Sequence, residues 1–416
     1  MTAPTPITLD HCLALDADDP LAGFRDRFHL PDGVIYLDGN SLGPLPAAVR
    51  TRLERVVEAE WGRDLITSWN VHDWIGLPAR VGDKIARLVG AAPGSVVCAD
   101  STSVNLFKAL AAALDLRPDR RVILSDSGNF PTDLYVAQGL VRLLDRGHEL
   151  RLVEPEGVAD ALTDDVAVLM LTQVDYRTGR LHHMADLTRR AHGAGAVTLW
   201  DLSHSAGALP VDLAGAGADL AVGCGYKYLN GGPGAPAFLY VAPRLQDAVR
   251  PPLSGWMGHE APFAFDLDYR PAGGIGRNLC GTPPVLGMTA LDAALDVILD
   301  ADMAQIRAKS QALCALFIDL VEQECRGHGF TLASPADPDA RGSQVSFRHA
   351  QGYPVMAALI ASGVIGDFRA PDLVRFGFTP LYLTFSDVWD AVAVLRGIME
   401  TRAWDAPEYH RRAAVT

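Results

Sequence analysis

The residue types best suited to covalent chemistry lie between positions 200 and 234, in the segment WDLSHSAGALPVDLAGAGADLAVGCGYKYLNGGPG. Asp201 ends a short apolar run, and Lys227 follows the next one in a loop rich in glycine. Lysine is rare here, with only four among the 36 basic residues. Each lysine is therefore a stronger candidate than usual for chemistry that arginine cannot perform. The simpler interpretations are a helix cap for Asp201 and a solvated surface residue for Lys227.

Two kinds of nucleotide site fit this segment poorly. A phosphate-binding loop of the type G-x-x-x-x-G-K-[ST] needs Ser or Thr after the lysine, whereas Tyr228 follows Lys227. No G-x-G-x-x-G follows a strand, because GIG at 274–276 continues with other residues. An aspartate and a lysine at successive strand ends suit pyridoxal phosphate (PLP) better. Its aldehyde binds an amine, and a carboxylate keeps its ring nitrogen protonated.

The elements that would position these residues follow from an alternating pattern between residues 50 and 290. Short continuous apolar runs indicate strands buried on both faces, and their alternation with helices predicts an α/β fold with a mostly parallel sheet. Ligands of such sheets bind beyond the carboxyl ends of the strands, where Asp201 and Lys227 fall. The predicted strands are 95–99, 122–125, 166–171, 197–200, 220–222 and 238–241.

Three regions are predicted along the chain. Residues 1–50 are rich in turn-forming residues and predict an irregular arm around one short strand at 34–37. Residues 51–290 form the large domain. Residues 291–416 begin with one long helical pattern, LDAALDVILDADMAQIRAKSQALCALFIDLVEQEC, followed by QVSFRH, a helix near 354–362 and RFGFTPLYLTF. We interpret this last region as a smaller α+β domain.

Composition argues against several classes of protein. The chain has 416 residues, 49% of them apolar and 21% charged, which suits two folded domains. Its net charge of −14 argues against binding to nucleic acid or to an anionic membrane. We expect neither a signal peptide in MTAPTPITLDH nor a membrane span of about 18 apolar residues. Six scattered cysteines without a CxxC pair predict no disulfide framework and no zinc site, so we expect a cytoplasmic protein.

Seven motifs occur in order between residue 36 and about residue 390. They are YLDGNSLGPLP (36–46), STSVNLF (101–107), NFPTDLY (129–135), YKYLNGGPG (226–234), PLSGWMGH (252–259), LCGTPP (279–284) and RFGFTPLY (375–382). Their order and spacing resemble the kynureninase family, which belongs to the fold-type-I PLP enzymes and is similar to the class V aminotransferases. The resemblance implies a large domain with a mostly parallel seven-stranded sheet and a smaller C-terminal α+β domain.

The resemblance also implies an activity. Members of this family are PLP-dependent hydrolases that cleave the Cβ–Cγ bond of L-kynurenine to give anthranilate and L-alanine. The related substrate 3-hydroxykynurenine would give 3-hydroxyanthranilate, and the residues do not decide between the two. The reaction belongs to tryptophan degradation and NAD-related metabolism.

Residues around the cofactor take their roles from the same resemblance. Lys227 would form the Schiff base, Asp201 would partner the pyridine nitrogen, and Tyr226 would contact the phosphate and take part in proton transfer. Phe130 would stack on the ring and Asp133 would lie near its edge. Without the resemblance these two would be a core residue and a helix cap. The other expected cofactor-binding residues are Thr102, Ser103, Pro131, Thr132, Thr172, His204, Trp256 and Thr282.

The substrate side of the site is also implied. Arg375 would hold the α-carboxylate through a two-pronged contact. Asn40 and Ser41 would face the substrate, although DGNSLGP is also typical of a turn. In relatives, Trp256 and Thr282 reach the cofactor of the partner subunit, so the resemblance implies a homodimer with shared active sites.

Other features leave alternatives open. The aromatic residues Trp61, Trp69 and Trp74 could line a pocket for the aryl ring or form the core face of a helix. The adjacent His182 and His183 lack the spacing of a metal motif, so we predict no metal.

The competing functions are another enzyme of the same fold and a catalytically silent binding protein. A class V aminotransferase would share the cofactor site, and a cysteine desulfurase would need an exposed nucleophile, for which Cys280 is the candidate. Lys227 and Asp201 argue against a silent protein, because chemistry needs both and packing needs neither.

Overall fold

The computed structural model describes residues 6–412. Its helices are α1 (Leu9–Ala17), α2 (Ala47–Arg55), α3 (Ser68–Val71), α4 (Leu77–Leu88), α5 (Thr102–Asp115), α6 (Pro131–Leu144), α7 (Met184–Gly193), α8 (Val285–Leu299), α9 (Met303–Glu324), α10 (Gly352–Ala361) and α11 (Phe385–Thr401). Its strands are β1 (Phe28–His29), β2 (Ile35–Tyr36), β3 (Leu45–Pro46), β4 (Val96–Cys98), β5 (Val122–Asp126), β6 (Glu149–Val153), β7 (Val166–Thr172), β8 (Val197–Asp201), β9 (Leu220–Gly223), β10 (Phe238–Val241), β11 (Thr331–Leu332), β12 (Gln344–Arg348), β13 (Val364–Ile365), β14 (Asp367–Arg369) and β15 (Leu373–Gly377).

The chain divides into two compact units. The large unit consists of Ala48–Tyr176 and His182–Asp300. The terminal unit combines the N-terminal segment that ends at Ala47, the short segment Arg177–Leu181 and the C-terminal segment that begins at Ala301. The N-terminal arm is therefore part of the same unit as the C-terminal elements.

The large unit is built on a mixed sheet. In the described part of the chain this sheet has seven strands, in the order β4-β10-β9-β8-β7-β5-β6. Strands β5 to β9 run parallel to one another, and β10 is antiparallel to both β4 and β9. Every residue of β7, β8 and β9 is buried, which matches their uninterrupted apolar sequences. The expected α/β fold with a mostly parallel seven-stranded sheet is confirmed.

One strand of this sheet, β6, was not predicted from the sequence. It lies at the edge of the sheet, where it pairs in parallel with β5 alone. Its sequence ELRLV places Glu149 and Arg151 among leucines and valine, and none of its residues is fully buried. An edge strand with solvent access does not need a continuous apolar run, so the pattern used for the buried strands does not apply to it.

Helices of the large unit pack closely on this sheet. The core that α5 and α6 share with the strands includes Leu106, Leu110, Ile123, Leu140 and Val168, all essentially inaccessible to solvent. Helix α4 lies against β4 at Gly82, where an added Cβ would come within 2.2 Å of the Val96 carbonyl oxygen. Only glycine allows this approach of helix to strand.

The terminal unit contains a four-stranded antiparallel sheet in the order β11-β12-β15-β14. The arm joins this unit by backbone pairing, because β2 runs parallel to β13. The pairing extends one residue further, where the Leu37 amide donates to the Ile365 carbonyl at 2.7 Å and the Gly377 amide donates to the Leu37 carbonyl at 2.7 Å. The turn after Leu37 is thereby held beside the end of β15.

The helical pattern that begins near residue 290 is interrupted. We expected one long helix, but α8 ends at Leu299 and α9 begins at Met303. The Asp302 side chain caps α9 by accepting a hydrogen bond from the Ala304 amide at 2.7 Å. Aspartate is a strong helix-capping residue, and the segment DAD was the local signal for this break.

Within residues 6–412, no helix combines the length and the apolar character that crossing a membrane would require.

Candidate active site

The candidate site of the large unit lies at the carboxyl ends of its parallel strands. Thr172 and Asp201 are the last residues of β7 and β8 and are direct partners in the register of these strands. Lys227 follows β9 after a turn of three residues. The polar side chains therefore converge where an open α/β sheet binds its ligand.

Two buried carboxyl groups face each other at this edge. Asp201 accepts a hydrogen bond from the Ser203 amide at 2.7 Å, and it forms a side-chain hydrogen bond with Asp133. Burial raises the pKa of Asp201. Burial and then the charge of Asp201 raise the pKa of Asp133 well above its ordinary value. The pair thus favours a shared proton or a nearby cation, and Lys227 supplies one positive charge.

The amine of Lys227 is positioned by three rings. Its Nζ lies 2.9 Å from Nε2 of His204. It also lies 5.9 Å from the ring centre of Phe130 and 5.8 Å from that of Tyr226. Burial raises the pKa of the Tyr226 phenol, so this hydroxyl stays protonated. The sequence indicated no partner for His204, and in the structure its partner is Lys227.

Asn129 is a site residue that sequence reasoning did not single out. Its side-chain oxygen accepts hydrogen bonds from the Thr172 hydroxyl and, at 2.7 Å, from the Phe130 amide. Its amide nitrogen donates to the Ser125 hydroxyl at 2.9 Å. Asn129 therefore fixes two expected cofactor-binding residues at once. The only sequence signal was its place at the start of NFPTDLY.

Two helix N-termini adjoin the strand ends. Ser101 caps α5 by accepting a hydrogen bond from the Val104 amide at 3.4 Å, which leaves Thr102 and Ser103 half-buried in the first turn. Phe130 occupies the cap position of α6 without a side-chain bond. The next three residues, Pro131, Thr132 and Asp133, form the first turn of α6. Asp133 is thus not the cap that the alternative interpretation suggested.

Trp256 and Thr282 lie at the surface of the large unit. Trp256 begins a short 3-10 helix and is 37% exposed, and Thr282 is also exposed. Neighbouring apolar side chains share this exposure, among them Leu253, Phe263, Phe265 and Leu267.

The tryptophan cluster surrounds a buried carboxylate. Trp74 donates from its indole nitrogen to Glu60 at 2.9 Å, and Arg52 donates to the other oxygen of Glu60 at 2.7 Å. Trp69 packs edge-on against Trp74 with ring centres 5.9 Å apart. Trp61 and Trp74 line an apolar cavity of about 450 Å³, whereas Trp69 does not. The other lining residues are Val56 and the segment 283–287.

The expected substrate-binding residues lie together in the terminal unit. Arg375 is 1% exposed and donates to both oxygens of Asp367, with an Nε–Oδ1 distance of 2.7 Å. Its Nη2 also donates to the Ser41 hydroxyl at 2.9 Å. Asn40 is fully buried and donates to Gln344 at 3.5 Å. The two-pronged capacity of Arg375 is therefore directed at a carboxylate of the protein itself.

The two adjacent histidines are accounted for without a metal. His182 pairs with Asp126 through an Nε2–Oδ2 distance of 2.6 Å, and both are buried. His183 occupies the cap position of α7. Among residues 6–412, no group of three His, Cys, Asp or Glu side chains is arranged to hold a metal ion.

The cysteines give little support to a sulfur nucleophile. Cys280 is partly exposed, and the other five side chains are buried. Cys224 lies near Lys227, but burial raises the pKa of its thiol.

Comparisons with known proteins indicate the family of the chain. Residues 306–395 match the family model described as the kynureninase C-terminal domain. The kynureninase of Burkholderia pseudomallei (strain 1106a) is 56% identical over 414 residues, which cover 98% of this chain and 100% of the relative.

Solved structures share the fold at low identity. A cysteine desulfurase from Escherichia coli superposes with a TM-score of 0.77 at 22% identity, over 92% of this chain and 98% of its own. A C-DES variant with glycine covalently linked to its PLP cofactor gives a TM-score of 0.76 at 16% identity, over 89% and 98%. These neighbours show the fold alone, and the desulfurase alternative is not favoured over relatives of far higher identity. By its sequence along nearly the whole length, the chain belongs to the kynureninase family.

Proposed function

We propose that this chain hydrolyses the Cβ–Cγ bond of L-kynurenine to give anthranilate and L-alanine. 3-Hydroxykynurenine, which differs by one hydroxyl, is the alternative substrate. The observation that carries the proposal is the meeting of Lys227 with the buried pair Asp133 and Asp201 at the carboxyl edge of the sheet. It occurs in a chain that is 56% identical to a kynureninase over 98% of its length.

We further propose PLP as the cofactor, held covalently through Lys227. The buried carboxyl groups fit it, because Asp133 has an oxygen without any hydrogen-bond partner and both have raised pKa values. A protonated ring nitrogen would supply the positive charge that this pair favours. When bound, PLP supplies an electron sink for the bonds broken at the substrate amino acid.

The residues of the chain would bind and orient this group from several sides. Asp201 would keep the ring nitrogen protonated, with Asp133 beside it, and Phe130 and His204 would face the ring. Thr172 would act near the ring through its hydroxyl. The phosphate would be held by Tyr226 and by two helix starts. One is the start of α5, with Thr102 and Ser103, and the other is the first turn of α6, with Pro131 and Thr132. The N-terminus of a helix favours an anion through its backbone amides and its dipole.

Proton transfers would fall to Lys227 and Tyr226. The Lys227 amine, once released from the cofactor, would remove the proton from the substrate α-carbon and return a proton elsewhere in the reaction. His204 lies 2.9 Å from Nζ and would keep that amine in place between transfers. Tyr226 retains its proton at neutral pH and would act as a donor.

The residues that the resemblance assigns to the substrate would bind its amino-acid part. Arg375 would bind the α-carboxylate with a guanidinium group that is already fixed by Asp367, so little side-chain entropy would be lost on binding. Asn40 and Ser41 would complete the contacts to the amino acid. The apolar cavity lined by Trp61 and Trp74 would suit an aryl ring.

We propose that two copies of the chain form a homodimer in which Trp256 and Thr282 reach the cofactor phosphate of the partner. Support comes from the exposure of Trp256 and of its apolar neighbours, since exposed apolar surface of this kind marks association sites. The absence of any disulfide among the six cysteines favours a reducing compartment, and we propose the cytoplasm.

The proposed function is tested with the purified protein. An absorbance spectrum is expected to show a band of protein-bound PLP that disappears on reduction with borohydride. Fluorescence of anthranilate and of 3-hydroxyanthranilate would then report cleavage of each substrate. Release of sulfide from cysteine, or transfer of the amino group to a keto acid, without cleavage of kynurenine would contradict the proposal in favour of a desulfurase or an aminotransferase.

A further inference from the structure

A second carboxylate lies in the same cluster as Arg375. Asp38 directly follows the extended β2 pairing and begins the DGNS turn of the terminal unit. Its charge interacts with Asp367, Arg375 and Arg369, and its side chain bonds to the Ser41 hydroxyl. The Ser41 hydroxyl also reaches Asp367 at 3.0 Å, so it touches both carboxylates.

The formal charges of this cluster cancel. Arg369 and Arg375 carry two positive charges, and Asp38 and Asp367 carry two negative charges when both are ionised. Arg375 and Asp367 are 1% and 3% exposed, and Arg369 bonds to Asp367 at 2.5 Å. A substrate carboxylate on Arg375 would add a third negative charge to two cations. An uncompensated charge in a buried cluster is costly, so one carboxylate should become neutral.

The two carboxylates differ in their readiness to accept a proton. Burial opposes ionisation of Asp367, but the guanidinium groups of Arg375 and Arg369 together hold its pKa below the ordinary value. Burial, followed by the charge of Asp367, raises the pKa of Asp38 to about 7. The Oδ1 atom of Asp38 is buried and has no hydrogen-bond partner. Asp38 is thus the group that a proton would reach first.

Within residues 6–412, the charged and titratable groups that interact with Asp38 include no further base to take that role. The titratable and charged groups that face Asp38 come from β2, the DGNS turn, β14, β15 and the segment after β15. They are Tyr36, Asp367, Arg369, Arg375 and Tyr382. Burial raises the pKa of both tyrosines, so they remain neutral across the range considered.

We propose that Asp38 takes up one proton from solvent when a substrate carboxylate binds Arg375, so that the cluster keeps its net charge. This inference rests on the proposed function, because it assumes an amino-acid substrate on Arg375. Asp38 acts through the charge of the cluster and is a positioning residue. Substrate binding then weakens as pH rises above the range in which Asp38 can be protonated.

The test compares pH profiles of KM and kcat for L-kynurenine between pH 6 and 9. The proteins are the wild-type holoenzyme, Asp38→Asn, and Asp32→Asn as a control that removes the same charge from an exposed position of the arm. Other titrating groups, on the substrate and elsewhere in the site, affect the KM of all three proteins in the same way. The ratio of wild-type KM to variant KM therefore isolates Asp38.

The expected ratio for Asp38→Asn is close to one at pH 6 and grows to about tenfold at pH 8, since each pH unit above the pKa changes the protonated fraction tenfold. The ratio for Asp32→Asn should stay near one throughout. A ratio for Asp38→Asn that is constant across pH would overturn the proton link, because a fixed electrostatic or structural effect does not depend on pH. Absence of kynurenine cleavage by the wild type would overturn the proposed function and this inference together.

Two further measurements cover failure of Asp38→Asn to fold. Asp38→Ser removes the same carboxylate with a smaller side chain and should show the same pH-dependent ratio. Calorimetric titration of the holoenzyme with L-alanine at pH 8, in two buffers of different ionisation enthalpy, counts the protons taken up. The control Asp32→Asn should match the wild type, and Asp38→Ser should take up nearly one proton fewer. Equal counts would contradict the proposal.

Discussion

At the scale of single residues, the site is defined by how its charges are balanced. Asp133 and Asp201 are both buried and cannot both be ionised without a cation beside them. Lys227 is the cation that the chain itself provides. With PLP bound, a protonated ring nitrogen would supply a further positive charge to this pair.

Replacement of Lys227 by Ala should lower turnover of kynurenine by at least about a thousandfold, because no other amine lies in the site to transfer the proton. The band of covalently bound PLP should vanish from the absorbance spectrum. Lys84→Ala is the matched control, since Lys84 pairs with Asp292 and Asp296 near the surface, at 2.8 and 2.7 Å. Near-normal turnover by Lys227→Ala would show that the covalent assignment is wrong.

Replacement of Arg375 by Lys should weaken kynurenine use markedly, by about a hundredfold in kcat/KM. Lysine keeps the charge but cannot contact Asp367, Ser41 and a carboxylate at once as the guanidinium group can. The absorbance spectrum of the cofactor should not change. Arg348→Lys is the control, because Arg348 is an exposed arginine outside this cluster whose Nη1 contacts both oxygens of Asp372, at 2.9 and 3.0 Å. Equal kinetics for the wild type and Arg375→Lys would remove Arg375 from the site.

At the scale of elements, the sequence predicted the fully buried strands of the large sheet well, including the edge strand β4, and missed its partly exposed strand. All six predicted strands of the large sheet exist, because a strand buried on both faces must be apolar throughout. The edge strand β6 and the break between α8 and α9 were missed. The sequence features that mark them are a few polar residues in each segment. The helical periodicity also continues through Asp302, so it does not indicate the break.

Of the candidate site, the sequence alone could predict only the residues that follow the ends of strands. Asp201 and Lys227 follow from the rule on carboxyl ends of strands. The contacts of His204 with Lys227, of Asn129 with Thr172, and of Asp38 with the arginines join residues distant in sequence. Such contacts depend on the final packing, and no spacing in a single sequence indicates them.

The segment around α3 allows a prediction about stability. Burial opposes ionisation of Glu60, but hydrogen bonds from Trp74 and Arg52 hold its pKa below the ordinary value. The Glu60 carboxylate therefore stabilises the fold above its unfolded pKa, and this contribution is lost as pH falls through its lower folded pKa. Glu60→Leu should reduce the free energy of unfolding by about 3 kcal/mol at pH 7.

The measurement is urea unfolding of Glu60→Leu, Glu60→Gln and the wild type at pH 7 and pH 4. Glutamine retains an acceptor for the Trp74 indole and should cost less than leucine. Glu54→Leu serves as the control, since Glu54 pairs with Arg50 on the exposed face of α2. If Glu60→Leu lowered the free energy of unfolding equally at pH 7 and pH 4, the assignment of an ionised Glu60 carboxylate would be contradicted.

At the scale of the whole molecule, the proposed homodimer makes a prediction about mixing. Lys227→Ala and Trp256→Ala homodimers should each have low activity. A heterodimer made by unfolding and refolding the two together would contain one site with an intact Lys227 and an intact Trp256 of the partner subunit. Random mixing should therefore restore about a quarter of wild-type activity.

The control for this experiment mixes Lys227→Ala with Tyr226→Phe. Both changes lie in the same half of the proposed site, so each site of the heterodimer carries one defect and no intact site is formed. The activity of this mixture should therefore not exceed the average of the two homodimers. No recovery with Trp256→Ala, together with a monomeric mass in solution, would contradict shared sites.

The division into units has a consequence for how the chain is made. The large unit ends at Asp300, so it can close while the last part of the chain is still on the ribosome. The segment that ends at Ala47 must instead wait for more than 250 further residues before synthesis reaches Ala301, where the C-terminal part of the terminal unit begins. At the usual rate of synthesis this delay lasts about 10 to 50 s. During that time the DGNS turn and the apolar residues of the arm are open to chaperones and proteases.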